Sequence, residues 1–222
     1  MPRSQGSPDR PQLSRDRVLR AAVAVADGGG LGGLTIRSLA LQLDVKPMSV
    51  YYYVANKSEI LDGIVDLVFA EIELPTPGGE WRAEISKRAH SAREVLRRHP
   101  WAIALMESRT NPGPATLRHH DAIVGTFRLA GFSVPLAAHA YALLDAFVYG
   151  FALQETSLPF ESSEDAAEVT GAMMEHFASG QYPHLTELAT DHVLQPGYAF
   201  GDEFDFGLDL ILDGLARSLP AS

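Results

Sequence analysis

Leu34-Thr-Ile-Arg-Ser-Leu-Ala-Leu-Gln-Leu-Asp-Val-Lys-Pro-Met-Ser-Val-Tyr-Tyr-Tyr-Val-Ala-Asn-Lys-Ser-Glu-Ile-Leu61 decides the fold. It reads as a short helix, a tight turn, a second short helix and the capped start of a third. Thr35 caps the first helix, which spans residues 36–43. Asp44, Val45 and Lys46 form the turn. Pro47 takes the first position of the second helix, where its missing N–H costs little. Asn56 and Glu59 have the spacing of a capping box, which starts a helix reaching to about Glu73. Leu39, Ala40, Leu43, Val45, Val50 and Val54 let the two short helices pack on a preceding one. Lys46, Met48, Ser49, Tyr52 and Tyr53 are left outward, and Tyr51 reads as inward packing. A helix pair of this shape is one way to place a helix in the DNA major groove. Core packing does not explain two outward tyrosines, whereas contacts to phosphates and thymine methyls do.

Upstream, residues 1–12 are polar and hold three prolines, which predicts a disordered arm. Ser14 caps a helix running to about Asp27, with Val18, Leu19, Ala22, Val23 and Ala26 on its apolar face. The glycines between 28 and 33 then read as a loop. Downstream, Leu74-Pro-Thr-Pro-Gly-Gly79 is the clearest break in the chain. Residues 13–73 therefore read as one domain with its connecting helix, and residues 80–222 as a second. Helical patterns follow at 80–98, 100–107, 114–130, 135–156, 163–178, 184–191 and 201–218. Alternating strand patterns are absent, so the predicted fold is all-α.

The chain has 222 residues and no cysteine, which excludes disulfides and thiolate metal sites. No stretch reads as the run of about 20 apolar residues that a membrane span needs. The polar N-terminus lacks the apolar segment of a secretion signal, so a cytoplasmic protein is expected. The net charge of −10 is unevenly spread: +3 over residues 1–60, 0 over 61–134 and −13 over 135–222. The basic charge sits with the helix pair, where phosphates would be met, and the acidic end is the part DNA would repel.

Gly28, Gly30 and Gly33 match the G-x-G-x-x-G spacing, but a helix precedes them where the dinucleotide fingerprint requires a strand. Eight histidines are scattered between residues 90 and 192, and none forms a His-x-x-x-His pair. His119-His120-Asp121 reads as exposed helix surface. No metal site and no cofactor is expected. No nucleophile elbow, phosphate-binding loop or zinc-protease motif is present, which counts against an all-α enzyme.

Residues 14–61 resemble the DNA-binding domain of the tetracycline-repressor (TetR) family of bacterial regulators. The resemblance lies in Leu34-Thr35, Leu39-Ala40, Val45, Val50-Tyr51-Tyr52-Tyr53-Val54 and the run Asn56-Lys57-Ser58-Glu59-Ile60-Leu61. His99-Pro100-Trp101 and residues 144–155 are similar to the regulatory domain of the tetracycline-repressor subgroup. The family implies a homodimer on a palindromic operator, released by a small molecule. It implies that Arg37, Lys46, Pro47, Met48 and Ser49 read bases. Thr35, Tyr51, Tyr52, Tyr53 and Lys57 would hold phosphates, with Tyr52 also within reach of bases. Two positions depart from the pattern: Lys46 replaces a small capping residue, and Asp44 replaces a common glycine and offers an alternative cap for the recognition helix.

Beside that resemblance, the small-residue stripe Ala138, Ala142, Ala146 and Gly150 looks like half of a four-helix dimer interface. The last helix would add Phe204, Gly207, Leu208, Ile211 and Leu215. The effector pocket would lie among the C-terminal helices, with His90, Trp101, Met106, Phe127, Phe147, Gln154, Met173 and Phe177 as candidate lining residues. The tetracycline–magnesium site of the namesake does not carry over to the histidines here. The function expected is a ligand-responsive repressor; an activator or an effector-independent DNA-binding protein is the alternative.

Overall fold

A computed structural model describes residues 12–159 and 180–219. No strand occurs among the described residues. The expected disordered arm, apart from Gln12, and the expected helix 163–178 lie outside them. The described helices are α1 (Arg15–Gly33), α2 (Ile36–Leu43), α3 (Pro47–Val50), α4 (Lys57–Glu71), α5 (Trp81–Arg98), α6 (Ile103–Met106), α7 (Pro114–Leu129), α8 (Val134–Ser157), α9 (Pro183–Leu188) and α10 (Glu203–Arg217). Two 3₁₀ turns, Pro100–Ala102 and Phe200–Asp202, precede α6 and α10, and a π-helical turn, Ala189–Val193, follows α9.

The chain divides into two units. The first holds residues 1–71 and 104–119, and the second holds 72–103 and 120–222. The break at Leu74–Gly79 thus lies close to a boundary. The segment 104–119 groups with the N-terminal unit, where the sequence break had set everything after residue 80 apart.

In the first unit, Val18, Leu19, Ala22, Leu39, Leu43, Val50, Val54, Ile60 and Ile64 form the buried base. Removing such side chains from water contributes roughly 1.5–3 kcal/mol each. Ser14 Oγ caps α1 by accepting from Arg17 N–H at 3.2 Å. Thr35 and Ser38 form a reciprocal capping box at α2. Gly63 allows α4 to cross α1 closely, since a Cβ there would lie 2.6 Å from a Leu19 methyl. The glycine run differs from its expected loop. Helix assignment continues through Gly33, interrupted at Gly30, whose φ of 63° suits glycine. Lys46, and not Asp44, holds the N-cap position of α3. Asp44 ends α2 in the left-handed region, φ 54°, and its N–H meets the carbonyls of Ala40 and Leu41. Asp tolerates this conformation better than most residues with a Cβ.

In the second unit, α5 and α8 pack together, and α8 also carries α10. The 24 residues of α8 are long and apolar enough to span a membrane by length and composition, contrary to the expectation that no stretch is. Within the unit it packs as a core helix: Ala137, Ala140, Leu144, Val148 and Ala152 are buried, and so is Asp145, paired with Arg88 of α5.

Candidate nucleic-acid interface and regulatory core

Above the buried base, the residues expected to meet DNA lie on the surface. Met48 is 71% exposed, Tyr52 86% and Tyr51 45%. Thr35, Arg37, Lys46, Pro47 and Lys57 are exposed, and Ser49 and Tyr53 are half-buried. Tyr51 therefore corrects its inward reading. The recognition helix stops at Val50, and residues 51–53 continue as turns, so helical periodicity no longer assigns their faces. The start of α4 is fixed beside this surface. Glu59 N–H donates to Asn56 Oδ1 at 2.9 Å, and Glu59 Oε2 accepts from Ala55 N–H at 2.7 Å. Arg15 Nε reaches Glu59 Oε1 at 3.2 Å, tying α1 to α4. The Ala55 N–H, aided by Arg15, holds the Glu59 carboxyl below the usual range.

The residues expected around an effector take the following places among the described residues. His90 is exposed, and its Nε2 donates to Asp205 Oδ1, 2.6 Å away. Phe147 stacks on Phe204 at 5.3 Å. Phe127 packs separately with Trp81 and Phe132. Trp101 is buried edge-on to His99, Gln154 is exposed, and Met106 belongs to the first unit. Met173 and Phe177 lie outside the described residues. Two cavities, of about 470 and 210 Å³, are lined by other residues.

A polar pair in the second unit escaped the sequence reading. Arg88 Nη2 lies 2.8 Å from Asp145 Oδ1, with side-chain exposures of 2% and 7%. Two ions removed from water stabilise a fold little, if at all, relative to apolar residues, so the pair marks a functional candidate. Its signal was present: Arg88 falls three residues after Ile85 and four before Ala92, on the core face of α5. Among the described residues, no group of three His, Cys, Asp or Glu side chains is placed to hold a metal.

The expected dimer residues separate into two sets. Ala138, Ala142, Ala146 and Gly150 form an exposed stripe on α8, flanked by exposed Val134, Leu143 and Leu153. Phe204, Leu208 and Leu215 are instead buried inside the unit. Gly207 serves the same internal contact, because a Cβ there would lie 2.7 Å from the Phe147 ring. Ile211 is half-buried. The face that α10 leaves open carries Phe206 and Leu210, 66% and 56% exposed. Between that face and the buried one, Asp205, Asp209 and Asp213 pair with His90 and Arg82 of α5.

Residues 74–219 match the family model described as "Tetracyclin repressor-like, C-terminal domain". The chain belongs to the TetR family. It is 35% identical over 220 residues to the HTH-type transcriptional repressor DrrR1 of Streptomyces coeruleorubidus, covering 93% of this chain and 78% of that one. It is 27% identical over 209 residues to the class A tetracycline repressor protein from transposon 1721 of Escherichia coli, covering 93% and 92%. Among solved structures, it resembles ActR of Streptomyces coelicolor in complex with actinorhodin. That match has 26% identity and a TM-score of 0.76, over 95% of this chain and all of that one. As a TetR-family member, the chain is a ligand-responsive DNA-binding transcriptional regulator and not an enzyme.

Proposed function

We propose that this regulator is a cytoplasmic homodimeric repressor of a palindromic operator, released when an aromatic small molecule enters its second unit. The observation that carries the DNA-binding part is the exposed surface of Lys46, Met48 and Tyr52 above a fully buried apolar base. Arg37, Lys46, Pro47, Met48 and Ser49 would read base edges. Thr35, Tyr51, Tyr52, Tyr53 and Lys57 would hold phosphates. The domain assignment follows the same division of labour, with residues 13–73 on DNA and most of 80–222 on effector and partner. Two protomers would meet through the α8 stripe and the Phe206–Leu210 face, since exposed apolar patches of this kind favour association.

An aromatic effector is supported by the aromatic content of the second unit, where Phe147 stacks on Phe204, Phe151 stacks on Phe200, and Phe151 meets Phe204 edge-on. Arg88 and Asp145 would supply the polar anchor for its oxygens. The ligand would act through its different affinity for the DNA-binding and released conformations.

Gel-shift titration with DNA flanking the gene tests the reading, with actinorhodin and tetracycline as probes. A specific complex that salt weakens and a probe dissolves is the expected result. Arg88→Met should keep the complex and lose the release. Absence of a specific complex would count against the operator assignment. A complex that no aromatic probe disturbs would count against the effector class.

A further inference from the structure

The chain has five methionines and no cysteine, so its oxidisable sulfur is thioether alone. Two methionines lie among the described residues, in opposite settings. Met106 is 6% exposed, buried in the first unit. Met48 is 71% exposed, at the second position of the four-residue helix α3. The backbone under it is held on both sides. Pro47 starts the helix, Ser49 N–H donates to the Lys46 carbonyl at 2.9 Å, and Tyr53 N–H donates to the Val50 carbonyl at 3.0 Å. Val50 itself is fully buried. The thioether is therefore displayed from a fixed support and carries little of the packing. A hydroperoxide can reach such a sulfur. The sulfur lone pair attacks one peroxide oxygen, an S–O bond forms and the O–O bond breaks. The leaving oxygen takes up the proton and departs as water or alcohol. Sulfur is oxidised by two electrons and the peroxide is reduced by two. The product, a sulfoxide, replaces an apolar, adaptable side chain with a polar one. On a surface that meets thymine methyls and base edges, that oxygen either keeps its water or is buried without a partner.

We propose that Met48 is a hydroperoxide-sensitive modification site, whose conversion to the sulfoxide releases the chain from its operator. The proposal rests on the base-reading role proposed for Met48 above and adds a covalent input to it. The input acts within the first unit, because the altered sulfur itself meets the bases, and it requires no effector. No cysteine is present to intercept the oxidant. The change is reversible, since methionine sulfoxide reductases return the thioether. Duplex and peroxide compete for one side chain, so the bound chain is oxidised more slowly than the free one.

Peptide mass spectrometry and fluorescence anisotropy test this on the full chain, with hydrogen peroxide as the oxidant and a duplex selected from a random library. In the wild type, Met48 is oxidised about fivefold or more faster than Met106, and saturating duplex removes that advantage. Affinity for the duplex falls by about tenfold or more in step with the Met48 sulfoxide fraction, and methionine sulfoxide reductases restore it. Met48→Leu, compared only with itself before treatment, keeps its own affinity through the same exposure. If Met48→Leu binds no duplex, the wild-type time course decides: the loss of binding follows the Met48 peptide and not those of Met1, Met173 and Met174. Oxidised wild type that binds as before, a loss that follows another methionine, or Met48 oxidation that the duplex does not slow overturns the modification site alone. A chain that selects no duplex overturns the DNA-binding reading and the site with it.

Discussion

Tyr52 is 86% exposed, an unusual setting for an aromatic ring on a folded surface. It stands next to Tyr51, and Lys57 opens the following helix, so a phosphate track along residues 51–57 is the arrangement these side chains favour. Tyr52→Ala and Lys57→Ala should each weaken operator binding by roughly 1–3 kcal/mol without lowering the melting temperature. Fluorescence anisotropy and thermal unfolding check this together, and wild-type affinity in both variants would contradict it. At this scale the sequence was legible wherever a helix continued. Val50 and Val54 were assigned to the core and are buried. Tyr51 was misassigned because α3 is only four residues long and the period fails after it. Arg88 was passed over because charge normally marks the solvated face, and only its spacing with Ile85 and Ala92 betrayed its burial.

Helix ends carried most of the element-scale information. Ser14, Thr35, Pro47, Asn56 and Glu59 each marked a start that the structure has, because capping is local chemistry between residues three apart. The Gly28–Gly33 run was less legible, since glycine permits both a loop and an interrupted helix. The open face of α10 was not legible from its apolar pattern alone, because apolar residues occur on both sides. Phe204, Leu208, Leu212 and Leu215 are the ones that pack inward, and the ion pairs of Asp205, Asp209 and Asp213 with α5 flank that side. The α4 start gives a pH-dependent prediction, where Glu59 accepts from Ala55 N–H, one residue before the N–H that a capping box would use. Glu59 is held below its usual range by the Ala55 N–H and Arg15, so its contribution is present above the unfolded pKa. It is lost as pH falls through the lower folded value. Glu59→Gln should therefore melt below the wild type at pH 7, and the gap should close as the pH falls to about 3. A gap that is unchanged across that range, followed by circular dichroism, would contradict the cap's charge dependence.

Across the whole molecule, the charge of −10 coexists with DNA binding because it is segregated, +3 in residues 1–60 and −13 in residues 135–222. The all-α fold was legible from helical periodicity, and the effector site was not, because aromatic residues line cores and pockets alike. In the proposed repressor, two copies joined through α8 and α10 present two recognition helices to one operator. Leu210 lies on the exposed face of α10, so Leu210→Asp should break the dimer while leaving each protomer folded. Losing one half-site contact per complex should then weaken operator binding by about 10²–10⁴-fold. Analytical ultracentrifugation of wild type and Leu210→Asp, each with and without a selected palindromic duplex, is the most direct test. The expected result is a wild-type dimer that binds one duplex, and a folded Leu210→Asp monomer that binds it weakly. A wild-type monomer, or a monomeric variant that binds the duplex as tightly as the wild type, would contradict it.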